Sequence, residues 1–372
     1  MCFTHRESMK YQPSKHSLYV EIYNKLKEDI ILGVYPPGSM LPSELELAES
    51  FYVSRITIQK AMQLLKNEGY ISRTAGKGTF VENIPTKPQQ HTIGIILCNI
   101  SYSFGLRILT SVERCASKHG YHVIFKNSVD SAEEETKAIN DLVALGVDGI
   151  IIQPVHKEFY NETLIQMHFN HFPIVLVDRC FSGFAIPSIS TNNFEAAQAA
   201  TQYLFDKGHT GIGFICSPQQ NTSTIQDRID GFTSAQILNN HSLSESNVLN
   251  TILSPHTSDN SDVFQKDVET IKEYLCRNKD ITALISSEFT VTQLVMKAIR
   301  ELHKKIPEDY SLIVFDEYES AELPIATHIK QNQMEIGRMA FETLLAKISN
   351  KMVSNKIYIP FEIVEGYTVR KL

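Results

Sequence analysis

Apolar positions near the N-terminus recur first at the helical period and then at the strand period. Leu18, Ile22, Leu26 and Ile30 fall at steps of four and form one stripe, predicting a helix from about Ser17 to Leu32 that Gly33 stops. A Pro36-Pro37-Gly38 turn follows. Ser43 and Glu46 have the Ser-x-x-Glu spacing of a capping box and open a short second helix through Leu47, Ala48 and Phe51. A third helix begins near Ser54, buries Ile58, Ala61, Met62 and Leu65, and ends at Gly69, while its other face carries Arg55, Thr57, Gln59, Lys60 and Gln63. Ile71 to Arg73 and Gly78 to Val81 then read as two strands around a Thr74-Ala75-Gly76-Lys77 turn. Three helices followed by a two-stranded wing, over residues 17–82, is the layout of a DNA reader.

Periodicity stops in the stretch Glu82 to His91, ENIPTKPQQH, whose two prolines and polar side chains mark residues 83–91 as a linker. Beyond it the pattern becomes strand-helix alternation. Runs at 92–98, 121–125, 147–153 and 173–177 alternate with helical stretches, and a second set follows at 211–216, 248–253, 282–286 and 310–315. Apolar β-branched runs separated by helices predict parallel sheets covered on both faces. Two such lobes of about a hundred residues each leave a cleft at the strand carboxyl ends, where small molecules bind. The fold class is therefore α/β after an α+β winged helix-turn-helix, with residues 92–372 as the second domain. Residues 1–16 are polar and expected to fray, and Met9 is as good a start as Met1.

Composition narrows the class. With 42% hydrophobic and 21% charged residues the 372-residue chain is an ordinary multi-domain globular protein. No run of eighteen apolar residues and no charged-then-apolar leader is present, which points away from a membrane or export and toward the cytoplasm. Six scattered cysteines with no CxxC pair argue against a metal site and read as buried free thiols. The net charge of -7 is unevenly spread: residues 1–90 hold 11 Lys/Arg against 9 Asp/Glu, and the remainder 24 against 33. A mildly basic reader then depends on where its cations sit and on presenting two copies to one duplex.

Residues 18–81 resemble the winged helix-turn-helix of the GntR family of bacterial transcription regulators through Leu41-Pro42-Ser43-Glu44, Val53-Ser54-Arg55, Glu68-Gly69 and Gly76-Lys77-Gly78-Thr79-Phe80-Val81. Residues 92–372 resemble the LacI/GalR effector domain, itself similar to periplasmic sugar-binding proteins. The matching pieces are Thr92-Ile93-Gly94, residues 146–151, Val177-Asp178-Arg179, Lys207-Gly208-His209, residues 228–232, residues 306–309 and Ile336-Gly337-Arg338. The pairing of the two is that of the arabinose-repressor subgroup. It implies a homodimeric, sugar-responsive repressor on double-stranded, palindromic operator DNA, with no cofactor and no enzymatic activity. No cofactor-anchoring lysine, GxSxG, Walker loop or HExxH stands against the last point.

The resemblance assigns Arg55, Thr57 and Gln59 to the start of the recognition helix, with Lys60 on the same face and Glu44 in the second helix. A guanidinium there bonds guanine O6 and N7, and a carboxamide reads adenine. Gln59 stands where the family usually has arginine, and Leu45 replaces another, so the operator is expected to differ. Ser43 and Ser54 either donate to phosphates or cap helices. At the wing tip Gly76 permits close approach to the minor groove and Lys77 neutralises a phosphate.

For the effector, the resemblance assigns Arg228 to sugar hydroxyls, with an interlobe salt bridge as the alternative, and Asp316 as the acidic acceptor. Asp178 and Arg179 point to the cleft or pair at the hinge. Tyr102 and Phe104 either stack on a sugar ring or pack, and Gln331, after a crossover at His328 and Ile329, is a further candidate. Glu288-Phe289 stands where the family usually carries Asn-Asp, so the ligand need not be arabinose. A nucleoside, a sugar phosphate or an oligosaccharide is the rival effector, and a transport-type sugar-binding protein the rival class.

Overall fold

The computed structural model describes residues 18–31, 33–74, 77–82, 91–98, 100–101, 103–155, 161–181, 183–218, 223–241, 247–256, 261–316 and 325–372. They form two compact units divided between Gln89 and Gln90.

In the first unit α1 (Leu18–Ile31), α2 (Glu44–Ser50) and α3 (Arg55–Asn67) are followed by β1 (Ile71–Thr74) and β2 (Gly78–Val81). The expected ends at Ser17 and Leu32, linker residues 83–90 and the residues Ala75 and Gly76 lie outside the described residues, while His91, expected to end the linker, already belongs to a strand. Ser43 caps α2 in a complete capping box with Glu46, and Ser54 caps α3 by accepting from Thr57 N at 3.2 Å. Leu26, Ile58 and Leu65 are fully buried between the helices. Each such side chain stabilises by roughly 1.5–3 kcal/mol. The segment before α2 also joins the wing: Leu41 N donates to Thr79 O and Val81 N to Ser39 O, both at 2.9 Å.

The second unit holds two six-stranded sheets. One has the order β13-β7-β6-β5-β3-β4 and is wholly parallel, from β3 (His91–Leu97), β4 (Tyr121–Asn127), β5 (Gly149–Ile152), β6 (Ile174–Val177), β7 (Ser188–Thr191) and β13 (Lys356–Ile359). The other has the order β14-β12-β11-β10-β8-β9, from β8 (Ile212–Ile215), β9 (Val248–Leu249), β10 (Ala283–Ser286), β11 (Ser311–Phe315), β12 (Thr327–Gln331) and β14 (Phe361–Val364), the last antiparallel to its neighbour. The first lobe carries α4 (Leu106–Lys118), α5 (Ala132–Ala144), α6 (Glu162–Phe169) and α11 (Gln333–Ile348). The second carries α7 (Asn193–Asp206), α8 (Ser223–Leu238), α9 (Ser261–Arg277) and α10 (Phe289–Glu301).

Two expectations are corrected. The run 248–253 is a strand only at Val248–Leu249, because it lies at the sheet edge with a single neighbour. The lobes are not consecutive halves. The chain crosses between them after β7, after β12 and between β13 and β14, so α11 and β13 return to the first lobe. The strands β7, β12, β13 and β14 were absent from the sequence reading: they are short, and polar positions interrupt the first two.

The lobes repeat one plan. The helix after the first strand packs against the helix that enters from the crossing, α4 on α11 in one lobe and α8 on α7 in the other. Glycine permits both approaches: a Cβ at Gly337 would lie 2.6 Å from Ile108 O, and one at Gly231 only 2.1 Å from Phe194 O. Gly231→Ala and Gly337→Ala are each expected to destabilise by about 1–3 kcal/mol or more through overpacking. Chemical denaturation of the full chain checks this, and an unchanged midpoint would refute the close approach.

Candidate functional site

The first unit presents a polar face made by α2, α3 and the wing. Glu44, the first residue of α2, has its carboxylate 9% exposed and accepts from Arg55 Nε at 3.1 Å, from Gln59 Nε2 at 2.8 Å and from an Arg73 guanidinium nitrogen. Burial pushes the Glu44 carboxyl up, and the bonds from Gln59, Arg55 and Arg73 outweigh it, so it is held below the usual range. Thus Glu44, expected among the DNA-contacting residues, is bonded to Arg55 and Gln59, and a carboxylate cannot donate to phosphate. Ser54 and Thr57 share a hydroxyl bond at 2.8 Å, and both serines cap, which favours the structural half of their expected roles. Lys60 Nζ lies 5.7 Å from the Tyr19 ring, and Lys77 is exposed at the wing. Arg73 was missed, because a single arginine in a short strand carries no signal until the fold sets it beside Glu44.

Between the lobes of the second unit lies a cavity of about 170 Å³. Phe104, Asp178, Arg179, Arg228, Glu288, Asp316 and Gln331 all line it, as expected, while Tyr102 lies outside the described residues. It also takes Gln153 and Asp130, which the sequence reading missed. Gln153 directly follows β5, a strand-end position that could have flagged it. Phe104 both lines the cavity and packs against the first lobe's core.

Equivalent groups from the two lobes face one another. Asp178 follows β6 and Asp316 follows β11, and both have the left-handed φ that aspartate tolerates, 66° and 62°. Each accepts from a glutamine: Gln153 Nε2 to Asp178 at 2.9 Å, and Gln331 Nε2 to Asp316 at 2.8 Å. Each amide turns its nitrogen to the acid, and its Oε1 is buried with no partner. Gln331 ends β12, with His328 and Ile329 inside that strand, so the crossing comes after it and not before.

Arg228, 4% exposed, donates Nε to Asn193 Oδ1 at 2.8 Å and a terminal nitrogen to Ser287 O, with its guanidinium carbon 4.0 Å from the centre of the Phe315 ring. Its hydrogen bonds lie within one lobe, which replaces the expected alternative of an interlobe salt bridge. Arg179 donates to Pro154 O at 3.1 Å and pairs with Asp130 at 3.5 Å, leaving its Nε buried and unpartnered. Glu288 accepts from Ser217 at 3.0 Å.

The crossing residues themselves reach these groups. Asn192 and Asn332 cap α7 and α11, and the next residues, Asn193 and Gln333, hold Arg228 and the loop before α4, the latter through Ser103 O at 2.7 Å and Gly105 N at 2.9 Å. The repeated Asn-x-x-Glu spacing at 192–195 and 332–335 was the available signal. Cys98 and Cys216 are buried as expected, but Cys276 is exposed.

Residues 18–81 match the family model for bacterial regulatory proteins of the gntR family, and residues 90–367 match periplasmic binding proteins and the sugar binding domain of the LacI family. The chain belongs to the latter family, with a GntR helix-turn-helix at its N-terminus. An arabinose metabolism transcriptional repressor of Geobacillus stearothermophilus is 26% identical over 94% of this chain and 97% of the relative. A ribose operon repressor of Haemophilus influenzae is 26% identical over 81% of this chain and 86% of its own. Among solved structures, transcription regulator CcpA of Lactococcus lactis shares the fold at TM-score 0.64 and 22% identity, covering 76% of this chain and 100% of that one.

Burial pushes the Asp316 carboxyl up to about 7, with Asp178 and Glu288 adding to it and Arg228 and Gln331 opposing. An acid whose folded pKa is raised binds its proton more tightly when folded, so its contribution to stability is full below the unfolded value and lost as pH rises toward 7. Asp316→Asn keeps an acceptor for Gln331 and cannot ionise. Its melting temperature is expected to gain on the parent between about pH 4 and 7 and to hold that gain above. A constant difference across pH would contradict this.

Proposed function

We propose that this protein is a sugar-responsive transcriptional repressor of a carbohydrate-utilisation operon. It acts as a homodimer that holds a pseudo-palindromic operator and lets go when an effector closes the cleft. The cleft carries this reading. Two unpartnered amide oxygens, one from each lobe, lack hydroxyl donors, and the Arg179 Nε lacks an acceptor. A sugar hydroxyl is both, so one ring can engage the two lobes at once and favour the closed form. Arabinose and ribose repressors among the relatives support the same class. Release requires that the effector bind the released form better than the operator-bound one.

The rival effectors differ in charge. Four carboxyl groups (Asp130, Asp178, Glu288, Asp316) face two guanidiniums in the cavity, which disfavours a sugar phosphate and favours an uncharged polyol. Operator reading is assigned to Arg55, Thr57 and Gln59, with Lys60 and Lys77 toward the backbone.

Purified full-length protein is expected to melt higher with one or more free pentoses or hexoses and not with their phosphates. Arg228→Ala should abolish the shift. No shift with any sugar, nucleoside or oligosaccharide would overturn the sensor reading. On DNA, Arg55→Ala should cost about 1–3 kcal/mol and relax base preference, whereas Lys77→Ala should weaken all sequences and flatten the salt dependence by about one unit. Equal losses on selected and random DNA for both variants would contradict the assignment.

A further inference from the structure

The face of the first unit contains a charge that a purely phosphate-binding surface would not keep. Glu44 sits among Arg55, Gln59 and Arg73, and an acid there subtracts from the attraction of every cation around it. The local fold does not require it. Ser43 and Glu46 already cap α2, and Glu44, Arg55 and Arg73 lie outside the apolar cluster that holds the helices together. What the carboxylate does is bind three donors from three places: the start of α3, its next turn, and the wing strand β1.

The atoms taken define the atoms left. Arg55 gives Nε to Glu44, so its two terminal nitrogens stay free on a side chain 65% exposed. That is the end of the fork which bonds guanine O6 and N7 together. Gln59 gives one of its two Nε2 hydrogens to Glu44, so its Oε1 and its other N–H remain, an acceptor and a donor held in one orientation. Arg73, 58% exposed, is tied to the same acid from the wing, which fixes wing and recognition helix in register.

We infer that Glu44 is a specificity-determining positioning residue, which fixes how Arg55 and Gln59 present their remaining atoms to base edges and withholds Arg55 and Arg73 from indiscriminate phosphate binding. The inference rests on residues 18–81 being a DNA reader. Without Glu44 the guanidiniums are released to any phosphate and Gln59 turns freely, so total affinity rises while discrimination falls. A residue that only supported the fold would lower both.

The full chain and its Glu44→Gln variant are compared by anisotropy on a random-sequence duplex over a range of salt, and by selection from a randomised duplex library. Glu44→Gln is expected to bind the random duplex roughly three- to tenfold tighter, with a salt dependence steeper by about one unit. The selected library should lose about tenfold of its enrichment at the positions read by Arg55 and Gln59. Arg73→Ala, which leaves Arg55 and Gln59 held, should weaken all duplexes and keep the enriched sequence. Parallel loss on random and selected DNA in Glu44→Gln, or no change in either, overturns the inference. A parent chain that binds no duplex and enriches no sequence removes the DNA-reader reading beneath it, a result distinct from either.

Discussion

Parallel strands deliver all their carboxyl ends to one edge of a sheet, and the effector domain is organised around that constraint. Its two sheets turn those edges toward one another, so residues at or just past strand ends meet across a cavity: Cys98, Gln153 and Asp178 from one lobe, Asp316 and Gln331 from the other. The aspartates leave their strands in a left-handed conformation, which L-residues other than glycine seldom accept and short polar side chains tolerate best. The turn that aims each carboxylate and the acid that orients each glutamine are therefore the same residue.

The crossings extend this arrangement. Asn193 and Gln333 stand at the first helical positions after two of the three crossings. One holds the guanidinium of Arg228 and the other the loop that carries Phe104. Arg228 and that loop are thus tied directly to the chain where it passes between the lobes. The glycine contacts of α7 with α8 and of α4 with α11 make the connection stiff, because backbones that touch leave no side chain to yield.

Carboxylates play opposite parts in the two units. In the cleft they outnumber the cations. On the polar face of the first unit a single one, Glu44, is outnumbered by its donors. The overall charge of -7 describes neither place.

Much was legible in the chain alone. Capping serines, the stripes of α1 and α3, the wing glycines and the apolar runs of the central strands announce themselves through spacing, because a local period of 3.6 or 2 is imposed by the backbone itself. Arg228, Asp178, Arg179, Asp316 and Gln331 were legible as cleft residues by resemblance and strand-end position. The short strands β7, β12, β13 and β14 were not, and neither was the return of α11 and β13 to the first lobe, because sheet membership is decided by long-range pairing. Gln153, Asn193, Gln333 and Arg73 are single polar residues whose meaning depends on a partner 25, 35, 230 and 29 positions away. Local chemistry wrote the helices and the capped turns. Only the tertiary fold could decide which glutamine each aspartate holds and which arginines Glu44 holds, since those contacts join segments the backbone leaves unrelated.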